Sequence, residues 1–316
     1  MYIIKGNQFE ASQVSNLANV VQSTAREFKL HDVSDCDDVN EVLDQLNIGR
    51  YSKVNIPHVC KGYSVIKDDF GNPLSIVQDT YDLLQPQKAF AFMDSLREQV
   101  GFTYSNAGFL QNGRQLFIQG KLGDFEVPTT SERRKGDVLN KIITAKTSFD
   151  GSIATTIAIE ILRVWCDNGC ASWESDSIIG KVKHTKNQDA RMTRALAHAT
   201  GLRQVVQELE RAISTLANAQ MTREQFEQGA SRVFSGDSTR AENQRDAVQT
   251  QFSNERLGAF GTTAWDAMNA FTAWATHERT ARNTEQTTRE ENHFRAQSDS
   301  AFPRKVRKAI QEVMAV

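Results

Sequence analysis

Residues 102–122 read FTYSNAGFLQNGRQLFIQGKL. Two runs of β-type residues flank Gln111-Asn112-Gly113. Asn-Gly between such runs predicts a hairpin, because both residues tolerate the positive φ of a tight turn. The pattern recurs upstream. Tyr63-Ser64-Val65-Ile66 and Leu74-Ser75-Ile76-Val77 flank the turn-forming stretch Asp68–Pro73, which predicts a second hairpin. Lys141–Ser148 supplies a further strand. Helical segments lie around these strands: residues 10–30, residues 37–47 with Asp37 or Asp38 as N-cap, and Gln87–Val100. In the last of these, Ala89, Phe92, Met93 and Leu96 share one face.

The second half has a different texture. Pro57, Pro73, Pro86 and Pro128 are followed by no proline until Pro303. Proline inside a helix costs about 3 kcal/mol, so this gap suits long helices. Asp189–Ala217 carries Leu202, Val205, Val206, Leu209, Ala212, Ile213 and Leu216 at helical spacing. Thr222–Phe234 has Thr222 and Gln225 in capping-box positions. Residues 235–244 read as a polar loop, and Gln244–Glu255 and Thr262–Arg279 as further helices. Residues 280–300 lack apolar periodicity and read as mobile. Pro303–Val316 reads as an amphipathic helix opening with Arg304-Lys305-Val306-Arg307-Lys308.

The expected fold is therefore α+β, with antiparallel hairpins and helices in the N-terminal half and a mostly helical C-terminal half. Four segments follow: 1–60, an N-terminal helical segment; 61–188, an α+β core; 189–280, a helical region; and 281–316, a mobile linker with a basic helix.

The net charge is −2 over 316 residues, which excludes a chain that is basic throughout. The charge is segregated, however. Residues 1–100 hold 14 acids and 9 Lys/Arg, whereas residues 131–211 hold 13 Lys/Arg and 10 acids. A locally basic segment in a neutral chain points to a phosphate-bearing partner. Cys36, Cys60, Cys166 and Cys170 include one close pair and no second, so they make no zinc set and fit thiols in a reducing compartment. The start MYIIKGNQFEAS lacks the basic region and apolar core of a signal peptide. No apolar run is long enough to span a bilayer. Phosphate-loop, dinucleotide-fold, zinc-protease and serine-elbow motifs are all missing, which argues against an ATP-hydrolysing helicase or recombinase. We expect no cofactor, no metal site and no catalytic residues.

Particular residues carry two readings each. Asp150-Gly151-Ser152 offers backbone N–H groups to a phosphate or simply turns the chain. Arg163 contacts phosphate or pairs with a core carboxylate such as Glu160. Trp165 and Trp173 stack on bases or pack in the core. Asn269, amid apolar residues with Trp265 and Thr272 nearby, needs an internal hydrogen-bond partner.

Several of these residues also occur in a familiar order. Phe149-Asp150-Gly151-Ser152, then Arg163-Val164-Trp165-Cys166-Asp167-Asn168, then Lys183-His184-Thr185 with Asn187, then Trp265, Asn269 and His277, resemble the phage/plasmid-like proteins. That family carries a domain of unknown function in bacteriophages, plasmids and bacteria. Gln85-Pro86, Ala89-Phe90 and Asp94 ahead of a hairpin fit it too. The resemblance covers about residues 60–280. Family members tend to show a shorter Val-Cys-Asn block where this chain has Val164–Asn168, so Trp165 takes no role from it. The order helix, hairpin, strand, helix over 87–170 is also similar to the core of single-strand annealing proteins of the RecT, Redβ and Erf kind. That second resemblance implies DNA held between a curved sheet and a helix, without ATP, by rings or filaments.

The leading expectation is a phage-type, ATP-independent protein that binds and anneals single-stranded DNA in recombination. The alternative is a non-enzymatic structural or interaction protein of a phage. A nuclease ranks below both, because no carboxylate pair stands at a motif-like spacing. The expected DNA-binding residues are Arg133, Arg134, Lys135, Lys141, Lys146, Arg163, Lys181, Lys183, Lys186, Arg191 and Arg194. Expected partners are single-stranded DNA, further copies of the chain, and a phage exonuclease or single-strand-binding protein. The expected setting is the cytoplasm of a bacterial host, away from membranes.

Overall fold

The hairpin at Gln111–Gly113 lies inside the main sheet of the molecule. A computed structural model describes residues 29–56, 61–127, 138–163, 169–170, 178–185, 188, 190–192, 201–253, 261–278 and 301–314. The elements in chain order are β1 (His31–Asp32), α1 (Val39–Gln45), β2 (Ser52–Asn55), β3 (Tyr63–Lys67), β4 (Pro73–Gln78), α2 (Pro86–Phe90) and α3 (Phe92–Val100). Next come β5 (Thr103–Leu110), β6 (Gln115–Glu126), β7 (Val138–Ser148), β8 (Thr155–Arg163), β9 (Gly169–Cys170) and β10 (Ile178–Val182). Then follow α4 (Leu202–Asn218), α5 (Arg223–Val233), α6 (Thr239–Phe252), α7 (Ala264–Ala273), a π-helical turn (Trp274–Glu278) and α8 (Ala301–Met314). Strands gather in the first half and helices in the second, so the fold is α+β.

The main sheet is antiparallel in the order β1-β5-β6-β7-β8-β10, with β9 also paired to β8. The β5–β6 turn forms because Gln111, Asn112 and Gly113 accept φ of 52°, 59° and 84°. A smaller sheet has the order β2-β3-β4, and β3–β4 is the second expected hairpin. Asp38 caps α1 by accepting from the Glu41 N–H.

Side chains alternate across the main sheet, and the two faces differ. One face carries Leu116, Ile118, Leu139, Ile143, Ala145, Ile157 and Ile159, all buried in one hydrophobic core that includes residues from Val33 to Ile310. The amphipathic helix α4 joins this core through Leu209 and Ile213, which is why its apolar stripe is legible at helical spacing. Gly120 lies on the same face in β6. A Cβ there would fall 2.2 Å from the Phe102 ring, so glycine lets that ring approach the strand closely. The opposite face carries Gln115, Phe117, Gln119, Thr144, Lys146 and Thr156, placed by the β6–β7–β8 register.

Some expectations need correction. Gln87–Val100 is two short helices, although Ala91 between them keeps right-handed angles (φ −50°, ψ −25°). The polar stretch 235–244 is a loop only at its start. Ser238 accepts from the Ala241 N–H and caps α6, whose Ala241, Val248 and Phe252 are buried at helical spacing. The strands β1, β2, β8, β9 and β10 were not expected, and β1 and β2 fall within 1–60, the stretch expected to be helical. The helix expected at 10–30 and the mobile segment at 280–300 lie outside the described residues.

The buried end of α7 shows how tightly the helical half is specified. Thr263 and Asp266 form a capping box, and Asp266 Oδ2 accepts from the N–H groups of Thr262 and Thr263 at 2.9 and 3.0 Å. Asp266 is fully buried. Replacing Asp266 with Ala strips Thr263 of its acceptor inside the core and should lower stability by about 2 kcal/mol. Urea unfolding checks this, and a loss below about 0.5 kcal/mol would contradict it.

Candidate nucleic-acid interface

The second face of the main sheet is closed at one side and open at the other. Toward β5 and β6, Phe117, Gln119 and Thr144 are buried. The main chain of Lys29 crosses at Gly108, where a Cβ would come within 2.3 Å of the Lys29 carbonyl oxygen. Toward β8 and β10, Lys146, Thr156 and Ala158 are only half-buried, and Lys181 is exposed. The register places Lys146, Thr156 and Lys181 side by side across β7, β8 and β10. The two lysines are thus two strand spacings apart, about 10 Å.

Residues 181–184 explain why the lysines are presented. Lys181 and Lys183 are exposed, whereas Val182 and His184 are buried. This is strand alternation carried past the end of β10. Among the described residues neither Lys181 nor Lys183 has an ion pair.

His184 anchors the alternation on the core side. Its Nδ1 lies 2.6 Å from the Tyr81 hydroxyl, and its Nε2 lies 2.9 Å from Thr155 Oγ1 and 3.3 Å from Thr147 Oγ1. The Tyr81 hydroxyl donates to the Ser148 carbonyl at 2.9 Å, and the two threonine hydroxyls are 2.8 Å apart. One assignment uses each hydrogen once. The His184 Nδ1–H donates to Tyr81 and Tyr81 donates to Ser148. Thr147 donates to Thr155, and Thr155 donates to Nε2. This requires a neutral imidazole. Burial pushes the His184 pKa down to about 4, against a smaller upward pull from Asp82 and Asp150. Burial also raises the pKa of the Tyr81 phenol, with Asp150 and Asp82 adding to the effect.

Tyr81 itself is held from the small sheet. Lys53 in β2 donates through Nζ to the carbonyls of Asp79 and Tyr81, each at 2.7 Å. Ser75 in β4 donates to the Phe149 carbonyl at 2.6 Å. Asp150-Gly151-Ser152 lies in the β7–β8 connection. Asp150 Oδ1 accepts from the Ser152 N–H at 2.9 Å, Gly151 has φ 73°, and Gln115 donates to Ser152 Oγ at 2.8 Å. That turn therefore uses the Ser152 N–H internally.

The eleven expected DNA-binding residues separate into groups. Lys146, Lys181 and Lys183 flank the open part of the second face. Arg191 is exposed and donates to Thr185 Oγ1 at 2.8 Å, next to that stretch. Lys141 falls on the core face and bonds Glu210 of α4 at 2.8 Å, with 16% of its side chain exposed, so it joins sheet to helix. Arg163 pairs with Leu139 through the backbone, and its side chain is not described. Arg133, Arg134, Lys135, Lys186 and Arg194 lie outside the described residues, as do Trp165 and Trp173. Trp265, Asn269 and Thr272 are buried in α7. Among the described residues no group of His, Cys, Asp and Glu could hold a metal, and no helix is long and apolar enough to cross a membrane. Cys36 is a buried free thiol donating to Gln45 Oε1 at 3.1 Å.

Sequence reading missed Tyr81, Thr147, Thr155 and Thr156. Tyr81 carries no local signal, because its partner is 103 residues away. The alternation Lys181-Val182-Lys183-His184 was visible and is a strand signal.

The model of DUF932, a domain of unknown function, matches residues 73–297, more than two thirds of the chain. The chain belongs to the DUF932 family. No curated protein and no solved structure matches it. The DUF932 region holds Tyr81, His184 and all three lysines of the open face, while β1–β3 and α8 lie outside it.

Neutral His184 makes stability depend on pH. The folded pKa, about 4, is below the ordinary value of 6.5, so the unfolded chain takes up the proton first. The contribution is complete above pH 6.5 and is lost as pH falls through about 4, a total of about 3 kcal/mol. Urea unfolding from pH 7 to pH 4 should show this loss, and His184→Gln should flatten it. An equal pH dependence in the variant would contradict the neutral-imidazole assignment.

Proposed function

We propose that this protein binds single-stranded nucleic acid on the open part of the sheet's second face and promotes annealing of complementary strands, without enzymatic chemistry, ATP or a metal. The observation that carries this reading is the row of Lys146, Thr156 and Lys181, extended by Lys183. Lys181 and Lys183 are exposed cations with no acidic partner among the described residues. The open part of this face, among the described residues, carries no aromatic side chain, so contact would be with phosphates rather than by stacking. Bases left unread remain free to pair, and stacking then supplies roughly 1.4 kcal/mol per step.

The three lysines that the described residues place on this face make few phosphate contacts. Useful affinity therefore requires several copies on one strand, so that weak contacts sum. A homo-oligomer in phage-type recombination, working beside an exonuclease or a single-strand-binding protein in a bacterial cytoplasm, is the setting this reading fits.

Binding to a 40-nucleotide oligomer should weaken steeply with salt, because each neutralised phosphate releases counterions. Lys181→Ala and Lys183→Ala together should reduce affinity at least tenfold at 50 mM salt while circular dichroism stays unchanged, since exposed lysines contribute little to stability. Annealing should accelerate in chelator without nucleotide, read by fluorescence quenching. Absence of binding at low salt would overturn the reading. Binding without faster annealing would remove the annealing claim alone.

A further inference from the structure

The helix α8 lies outside the DUF932 region and has two dissimilar faces. Val306, Ala309 and Ile310 are buried, and α8 packs on α5 and α7. Phe302 joins the ring cluster of Phe234 and Trp274, with centroids 6.1 and 5.6 Å away. The apolar side is thus used internally and is not offered to a lipid surface. On the outward side Arg304, Lys305 and Lys308 are exposed. Glu312 lies 3.5 Å from Arg232 of α5 and 3.9 Å from Lys308. Among the described residues Arg304 and Lys305 have no ion pair.

Helix stability does not account for these cations. Arg304 and Lys308 are like charges four residues apart, which disfavours a helix. No acid occupies the first turn, and cations near that end oppose the helix dipole. Packing on α5 and α7 holds the helix in spite of its charge pattern. We infer that the outward face of α8 is a second contact for a nucleic-acid phosphate backbone, separate from the sheet face. This rests on the proposed binding of single strands and extends the footprint of one chain into its helical half. The partner is a polyanion recognised by charge.

The test compares three full-length proteins on a 40-nucleotide single strand from 50 to 200 mM salt: wild type, Arg304→Ala/Lys305→Ala/Lys308→Ala, and Lys181→Ala/Lys183→Ala. The α8 variant should bind more weakly at 50 mM and show a log–log salt slope shallower by about 2, at about 0.7 per lost phosphate contact. Its deficit should therefore shrink roughly twenty-fold by 200 mM. Arg304→Lys, which keeps the charge, should retain the wild-type slope. An α8 variant with wild-type affinity and slope overturns the inference, and leaves the sheet reading standing if the sheet variant is impaired. That outcome would also be expected if the face serves an acidic protein instead. A loss in the α8 variant with an unimpaired sheet variant would support α8 and overturn the sheet site. A wild type that does not bind at all overturns both.

Discussion

A buried neutral imidazole joins the parts of this structure that matter most for its proposed use. His184 ties the end of β10 to β7 and β8 through Thr147 and Thr155, and to the small sheet through Tyr81. Its hydrogens and lone pairs are all used, so a one-residue slip of the strand would leave several polar groups buried without partners. Slipping would also exchange Val182 and His184 with Lys181 and Lys183, because alternation has period two. The core-side network therefore fixes which side chains reach the other face.

The same logic separates two lysines that look alike in sequence. Lys141 and Lys146 are both in β7 and five residues apart, so they lie on opposite faces. Lys141 meets Glu210 of α4, in a part-buried pair that stitches helix to sheet. Lys146 lies on the half-open side, in line with Lys181. Charge counting along residues 131–211 treats them as equivalent, and only the register distinguishes them.

Much of the fold was legible. The Asn-Gly turn, the Asp68–Pro73 turn, the Asp38 cap and the Thr222–Gln225 capping box are local features, and each stands where its chemistry requires. The Ala/Leu/Ile stripe of α4 was legible for the same reason. What escaped is non-local or ambiguous. β8 is a run of β-branched and apolar residues too short to tell from a buried helix. The start of α6 is masked by the polarity of Ser238–Gln244, with only Ala241, Val248 and Phe252 marking its inner side. At the candidate site, Lys181 and Lys183 were named from charge alone. Tyr81 was invisible, because its role depends on a contact across the two sheets.

On the proposed function, the half-open side of the main sheet, and not the core-facing Lys141 of β7, meets the nucleic-acid backbone. Lysine acylation followed by mass spectrometry, with and without a single-stranded oligonucleotide, tests this directly. Lys146, Lys181 and Lys183 should become protected when the strand is bound, while Lys141 should keep the low reactivity of its pair with Glu210. Unchanged labelling of Lys181 and Lys183 in a demonstrably DNA-bound protein would contradict it.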